Sequence, residues 1–170
     1  VYNNTEVKTM NIFVLDENPA VAAVYHGDKH VVKMIVETAQ LLSTAHHYYN
    51  SPIAPLVYKK THVNHPSAIW VRTNSTNYTW AFALLKFLLQ EYTHRYGKIH
   101  STSNLVENLS HIPQGMPITT TLTPFALAMP DQYKIPGNAV ESYRQYYIHE
   151  KKTIWSWKKR EKPYWMAGIV

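Results

Sequence analysis

The sequence predicts a mainly α, compact single domain of three principal helices joined by long loops. Three observations carry that prediction. Residues 28–46 place apolar side chains around most of a helical wheel and leave one narrow polar stripe. Residues 78–96 are dense in core-forming side chains and end at Gly97, a residue suited to a left-handed helix stop. Asn138 and Glu141 stand at the N-x-x-E spacing of a capping box, ahead of Val140, Tyr143, Tyr147 and Ile148 on one helical side.

The elements follow in order. Residues 10–16, MNIFVLD, read as a short strand or an extended segment, and ENPAVAAVY at 17–25 as a first helical turn with Pro19 near its start. The first long helix runs from Asp28, its expected N-cap, to His46. A Tyr- and Pro-containing loop leads to a second helical region that opens at His65 and Pro66, with proline suited to the first helical position. That region breaks at TNST, residues 73–76, and resumes to Tyr96. Residues 101–136 combine a short helical piece, NLVENLSHI, with a long Pro- and Thr-rich loop, a length more often functional than idle. Residues 1–9 read as an N-terminal extension ahead of Met10, and 10–170 as one domain with a basic, aromatic tail.

Composition narrows the function classes. Hydrophobic residues make up 45% of the 170 and charged residues 16%, which excludes a disordered chain. No apolar run reaches the length of a membrane span, and VYNNTEVKT lacks the basic-then-apolar order of a signal peptide. Cysteine is absent, so disulfides and thiolate metal sites are excluded, and a reducing, cytoplasmic setting is the plain reading. For a viral protein that would be the host-cell cytoplasm. The net charge of +6, with thirteen Tyr and five Trp, leans towards an anionic partner such as nucleic acid.

Chemistry concentrates on the first long helix. His30, Lys33, Glu37 and Gln40 fall within a stripe about 80° wide on an otherwise apolar wheel. Such a seam fits a helix inside the protein with one edge lining a cleft. A buried carboxyl at the edge of a cleft can have a raised pKa and act as a general acid or base. An ordinary Lys33–Glu37 ion pair is the plainer alternative for the lysine. His26 and His30, four apart, could share a metal with His65 or Glu37. His65 can present an imidazole beside helix N–H groups, where a phosphate would bind, or simply cap the helix. Arg72, Arg95 and Lys98 are further candidate backbone contacts. In the tail, Lys158, Lys159 and Arg160 alternate with Trp155 and Trp157, supplying phosphate contacts and flat faces for bases.

The order of these clusters resembles the endonuclease V-type pyrimidine-dimer DNA glycosylases of phages and their relatives. The matching residues are Asp28, His30 and Glu37 on the early helix, His65 ahead of the central helix, and the RYGK turn at 95–98. Ile112, Pro113 and Gln114 then match an Ile-Pro-Gln, and Pro163, Tyr164 and Trp165 a terminal aromatic motif. The resemblance spans about residues 26–166. It implies a small, mainly α enzyme that flips a nucleotide out of double-stranded DNA. An amine attacks sugar C1′, and the strand is cleaved through a Schiff base without a cofactor. It implies Glu37 as the acid/base, with His30 and His65 positioning sugar or phosphate. The family's nucleophile is the α-amine of a threonine exposed by methionine removal, whereas here Met10 is followed by Asn11. The true N-terminus and Lys33 are the candidate amines. The family's arginines beside the glutamate are replaced by Ile35, Val36 and Thr38.

Three readings result. The first is a DNA glycosylase with accompanying AP-lyase activity on damaged or modified pyrimidines. The second is a metal-dependent nuclease or hydrolase with a His/Glu site. The third is a non-catalytic protein of the same fold that binds nucleic acid or a host protein.

Overall fold

A computed structural model describes residues 11–151 and 156–168. Its helices are α1 (Pro19–Tyr25), α2 (Asp28–Tyr48), α3 (Pro66–Thr73), α4 (Ser75–Tyr96), α5 (Val106–Leu109) and α6 (Ala139–Lys151). No strand occurs among the described residues, and none of their helices is long and apolar enough to cross a membrane. The mainly α prediction is correct. Residues 11–14 belong to neither helix nor strand and 15–18 form a bend, so the strand offered as one form of MNIFVLD is not present among its described residues.

Helices α2 and α4 form the centre. The apolar periodicity of α2 buries Val31, Met34, Ile35, Ala39, Leu41, Leu42 and Ala45. The face of α4 that meets it contributes Tyr78, Ala81, Leu84, Leu85 and Leu88. Each large side chain so buried stabilises the fold by about 1.5–3 kcal/mol relative to exposure. Helix α1 packs on α4, and α3 on α2 and α4. The segment Ile12–Leu15 is buried in the same core and brings Asn11 beside α2.

Caps account for the helix boundaries. Asn74 ends α3 and starts α4, its side chain accepting from the Asn77 N–H at 2.9 Å, which is why TNST breaks the helix without ending the region. Gly97 ends α4 at φ 68°, a left-handed conformation that costs glycine nothing. Asn138 accepts from the Glu141 N–H at 3.1 Å. The reciprocal half of the expected box is absent, because the Glu141 carboxylate takes Gln145 instead, at 2.6 Å. Asp28 is not an N-cap: Gly27 holds that position and makes no side-chain cap. The Asp28 carboxylate is committed elsewhere, as described below. Replacing the buried Asn74 by alanine is expected to cost about 1–2 kcal/mol, read as a lower urea midpoint with an unchanged slope.

Candidate functional site

Of the stripe expected on α2, Lys33 is exposed, Gln40 half-buried and Glu37 only 9% exposed, whereas His30 is buried. Two donors converge on Glu37. The backbone N–H of Asn11 lies 3.2 Å from one carboxyl oxygen. The Lys33 ammonium lies 3.7 Å from the other, its own side chain 54% exposed. Burial raises the Glu37 pKa, while Lys33 and the Asn11 bond oppose that rise. The result is a carboxyl whose burial favours the protonated form more than water would, beside a backbone nitrogen, a geometry suited to moving a proton to or from a nitrogen or sugar oxygen.

Three other segments close round Asn11. Ser67 Oγ, from α3, donates to its carboxamide oxygen at 2.9 Å. The carbonyl of Ala128 accepts from its amide nitrogen at 2.7 Å. Tyr143, from α6, donates to Ala126 O at 2.7 Å and so holds the loop that carries Ala128. Beside this cluster lies a cavity of about 10 Å³ lined by Ile12, Val14, Ser67, Trp70, Phe125 and Tyr143, at the threshold of room for one water. Asn11, Ser67 and Tyr143 were not candidates from sequence. Their only local signal is a polar residue at the head of the apolar run NIFVL.

His30 is two helical turns from Glu37, about 10 Å along the axis. It is buried in a separate aromatic cluster. Its Nδ1 lies 2.8 Å from the Tyr147 hydroxyl, Phe13 meets its ring edge-on at 4.5 Å, and the His26 ring stacks on it at 5.2 Å. It is held there by packing, rather than lining the Glu37 edge as expected. His65 caps α3, its Nδ1 accepting from the Ser67 N–H at 3.0 Å. Its pKa is lowered by burial and by neighbouring His62, which favours the neutral ring whose lone pair makes this cap. Among the described residues no three His, Asp or Glu side chains are grouped to hold a metal. The expected His26/His30/His65/Glu37 set is therefore not assembled: His26 is sealed in the core and His65 is committed to its cap.

Several expected nucleic-acid contacts require correction. Arg95 is 1% exposed. Its guanidinium donates to Glu91 at 2.9 Å, Asp28 at 3.0 Å, and the carbonyls of His26 at 2.7 Å and Val24 at 2.9 Å. With its donors turned inward it cannot reach phosphate. Arg160 pairs with the other face of Glu91, at 2.6 Å and 3.1 Å. Trp157 is half-buried and donates to Tyr25 O at 2.9 Å, so its indole packs the tail onto α1 rather than offering a free stacking face. Asp28 organises this docking, accepting from the Lys158 N–H at 2.8 Å and Ser156 Oγ at 2.9 Å. Arg72 donates to Val63 O and lies 4.2 Å over the ring of exposed Tyr48. Lys98, Lys158 and Lys159 are exposed as expected, with the Lys158 ammonium 5.0 Å over the Tyr96 ring. Trp155 lies outside the described residues. No protein-family model, curated protein or solved structure matches this chain.

Proposed function

We propose that the protein is a DNA glycosylase with AP-lyase activity, acting on damaged or modified pyrimidines in double-stranded DNA. One observation carries the reading: a buried carboxyl of raised pKa, Glu37, with the Asn11 backbone nitrogen at 3.2 Å. Scission of the Met10–Asn11 bond would turn that nitrogen into an α-amine already aimed at the carboxyl. Lys33 is the competing amine, its exposed side chain paired with Glu37 at 3.7 Å.

In this reading the neutral amine attacks C1′ of a flipped nucleotide. The C1′–base bond breaks and the base leaves with the electron pair, taking up a proton. Glu37 protonates O4′ as the sugar ring opens, leaving a C1′=N imine. The carboxylate then takes a C2′ proton, and the 3′-phosphate departs. The cavity beside Asn11, about 10 Å³, is too small for a nucleotide, so in this reading the segments that line it rearrange on binding. The net charge of +6 and exposed Lys29, Lys33, Lys98, Lys158 and Lys159 supply the attraction to phosphate.

The test is borohydride trapping on duplexes carrying an abasic site or a damaged pyrimidine. A covalent adduct is expected, mapping by peptide mass spectrometry to the amino group of Asn11. Glu37→Gln should reduce trapping and strand scission at least 100-fold, while Lys33→Arg leaves the adduct in place. An adduct on Lys33 reassigns the nucleophile. Scission that Glu37→Gln does not slow removes the reading.

A further inference from the structure

Asn11 is not merely near Glu37; its side chain is oriented. The carboxamide nitrogen faces the Ala128 carbonyl at 2.7 Å. The oxygen receives the Ile12 N–H at 2.7 Å and the Ser67 hydroxyl at 2.9 Å. Tyr143 also lies 3.4 Å from that oxygen, but its single proton goes to the closer Ala126 carbonyl at 2.7 Å. Ser67 is therefore the side chain that donates to the Asn11 oxygen. Turning the amide over would set its NH2 against two donors and its oxygen against a carbonyl. The orientation about the Asn11 Cβ–Cγ bond is thus fixed, and the carboxamide so held anchors the residue whose backbone N–H meets Glu37.

Ser67 is suited to that task. It is 2% exposed and so cannot contact DNA itself. Its own backbone is pinned by the His65 cap at the first turn of α3. We propose that Ser67 is a positioning residue for the Glu37 site, acting through the Asn11 carboxamide to hold the Asn11 nitrogen against the Glu37 carboxyl. The proposal deepens the glycosylase reading and rests on it for its catalytic consequence. Its geometric content can be measured without turnover.

Three forms of the protein test it: unaltered, Ser67→Ala and Ser67→Thr. The threonine keeps the hydroxyl. The first readout is the Glu37 titration followed by carboxyl-carbon NMR. The Asn11 N–H bond favours the ionised carboxylate, so its misalignment in Ser67→Ala should displace the midpoint upward by about half a pH unit. Ser67→Thr should bring it back. The second readout is single-turnover trapping, where Ser67→Ala should be about tenfold slower at unchanged DNA affinity, again restored by threonine. An unmoved Glu37 midpoint in Ser67→Ala overturns the proposal, whatever happens to thermal stability. An unaltered protein that forms no adduct removes the glycosylase reading instead, and the Glu37 titration then decides the positioning role by itself.

Discussion

Arg95→Ala is expected to destabilise the protein by about 3–5 kcal/mol, enough to unfold a domain whose total stability is of the usual 5–15 kcal/mol. The cost has identifiable parts. The guanidinium is wholly buried and satisfies two carboxylates, Asp28 and Glu91, and two carbonyls, His26 and Val24. Burial pushes the Glu91 pKa up, yet its net direction is down, because Arg160 and Arg95 both stabilise the charge. Removing Arg95 leaves Asp28 buried with only the tail's N–H and hydroxyl, and leaves two carbonyls without donors. Arg95→Lys keeps the charge but not the planar fork that reaches three sides at once. It should recover less than half of the loss. Urea unfolding followed by circular dichroism is the measurement. A loss below about 1 kcal/mol would mean that the network behaves like a surface pair.

Arg95 also marks where sequence reasoning stops. Its position two residues before Gly97, in the last turn of α4, reads as a cation complementing a helix C-terminus or meeting phosphate. What buries it is Asp28, 67 residues away, together with a tail segment a further 130 residues along from Asp28. No local pattern encodes such a pairing. The helices, by contrast, were legible because their determinants are local: the apolar period of α2, Asn74 at the break, Gly97 at the stop, Asn138 at the start of α6.

The candidate site was legible by half. The stripe on α2 located Glu37 at a buried edge beside Lys33, since both lie on one element. It did not locate Asn11, Ser67 or Tyr143, which reach the site across 26, 56 and 132 residues. His30 illustrates the reverse error. Its angle on the wheel matches that of Glu37, but two turns of axial rise carry it under Tyr147 and Phe13. Angular position alone says nothing about what covers each turn.

Acidification should begin to destabilise the protein above the carboxylate range, because two core histidines are held neutral. His26 is fully buried. Its Nδ1 donates to Ala22 O at 2.6 Å, and its Nε2 has no hydrogen-bond partner among the described residues. Burial brings its pKa from 6.5 to about 4. His46 lies between Tyr78 and Ser51. Tyr78 gives its proton to Leu109 O at 2.7 Å, so the ring Nε2–H must donate to Tyr78 and Nδ1 must accept from Ser51. Burial likewise lowers the His46 pKa from 6.5 to about 4. Both folded values lie below the unfolded one. The unfolded chain therefore takes up protons between pH 6.5 and 4 while the folded chain does not, and stability falls through that window before levelling off below it. Each histidine contributes a loss on the order of 3 kcal/mol at full effect. Glu91, with its lowered pKa, adds to the acid loss at still lower pH. Glu37, with its raised pKa, binds a proton more readily when folded and works in the opposite sense. Urea midpoints at pH 7, 5.5 and 4 should fall steeply. His46→Gln, which keeps a donor and an acceptor without a titrating ring, should flatten the dependence by its share. A midpoint unchanged from pH 7 to 4 would show that both rings accept protons in the folded protein, which requires the core around α2 to open to water.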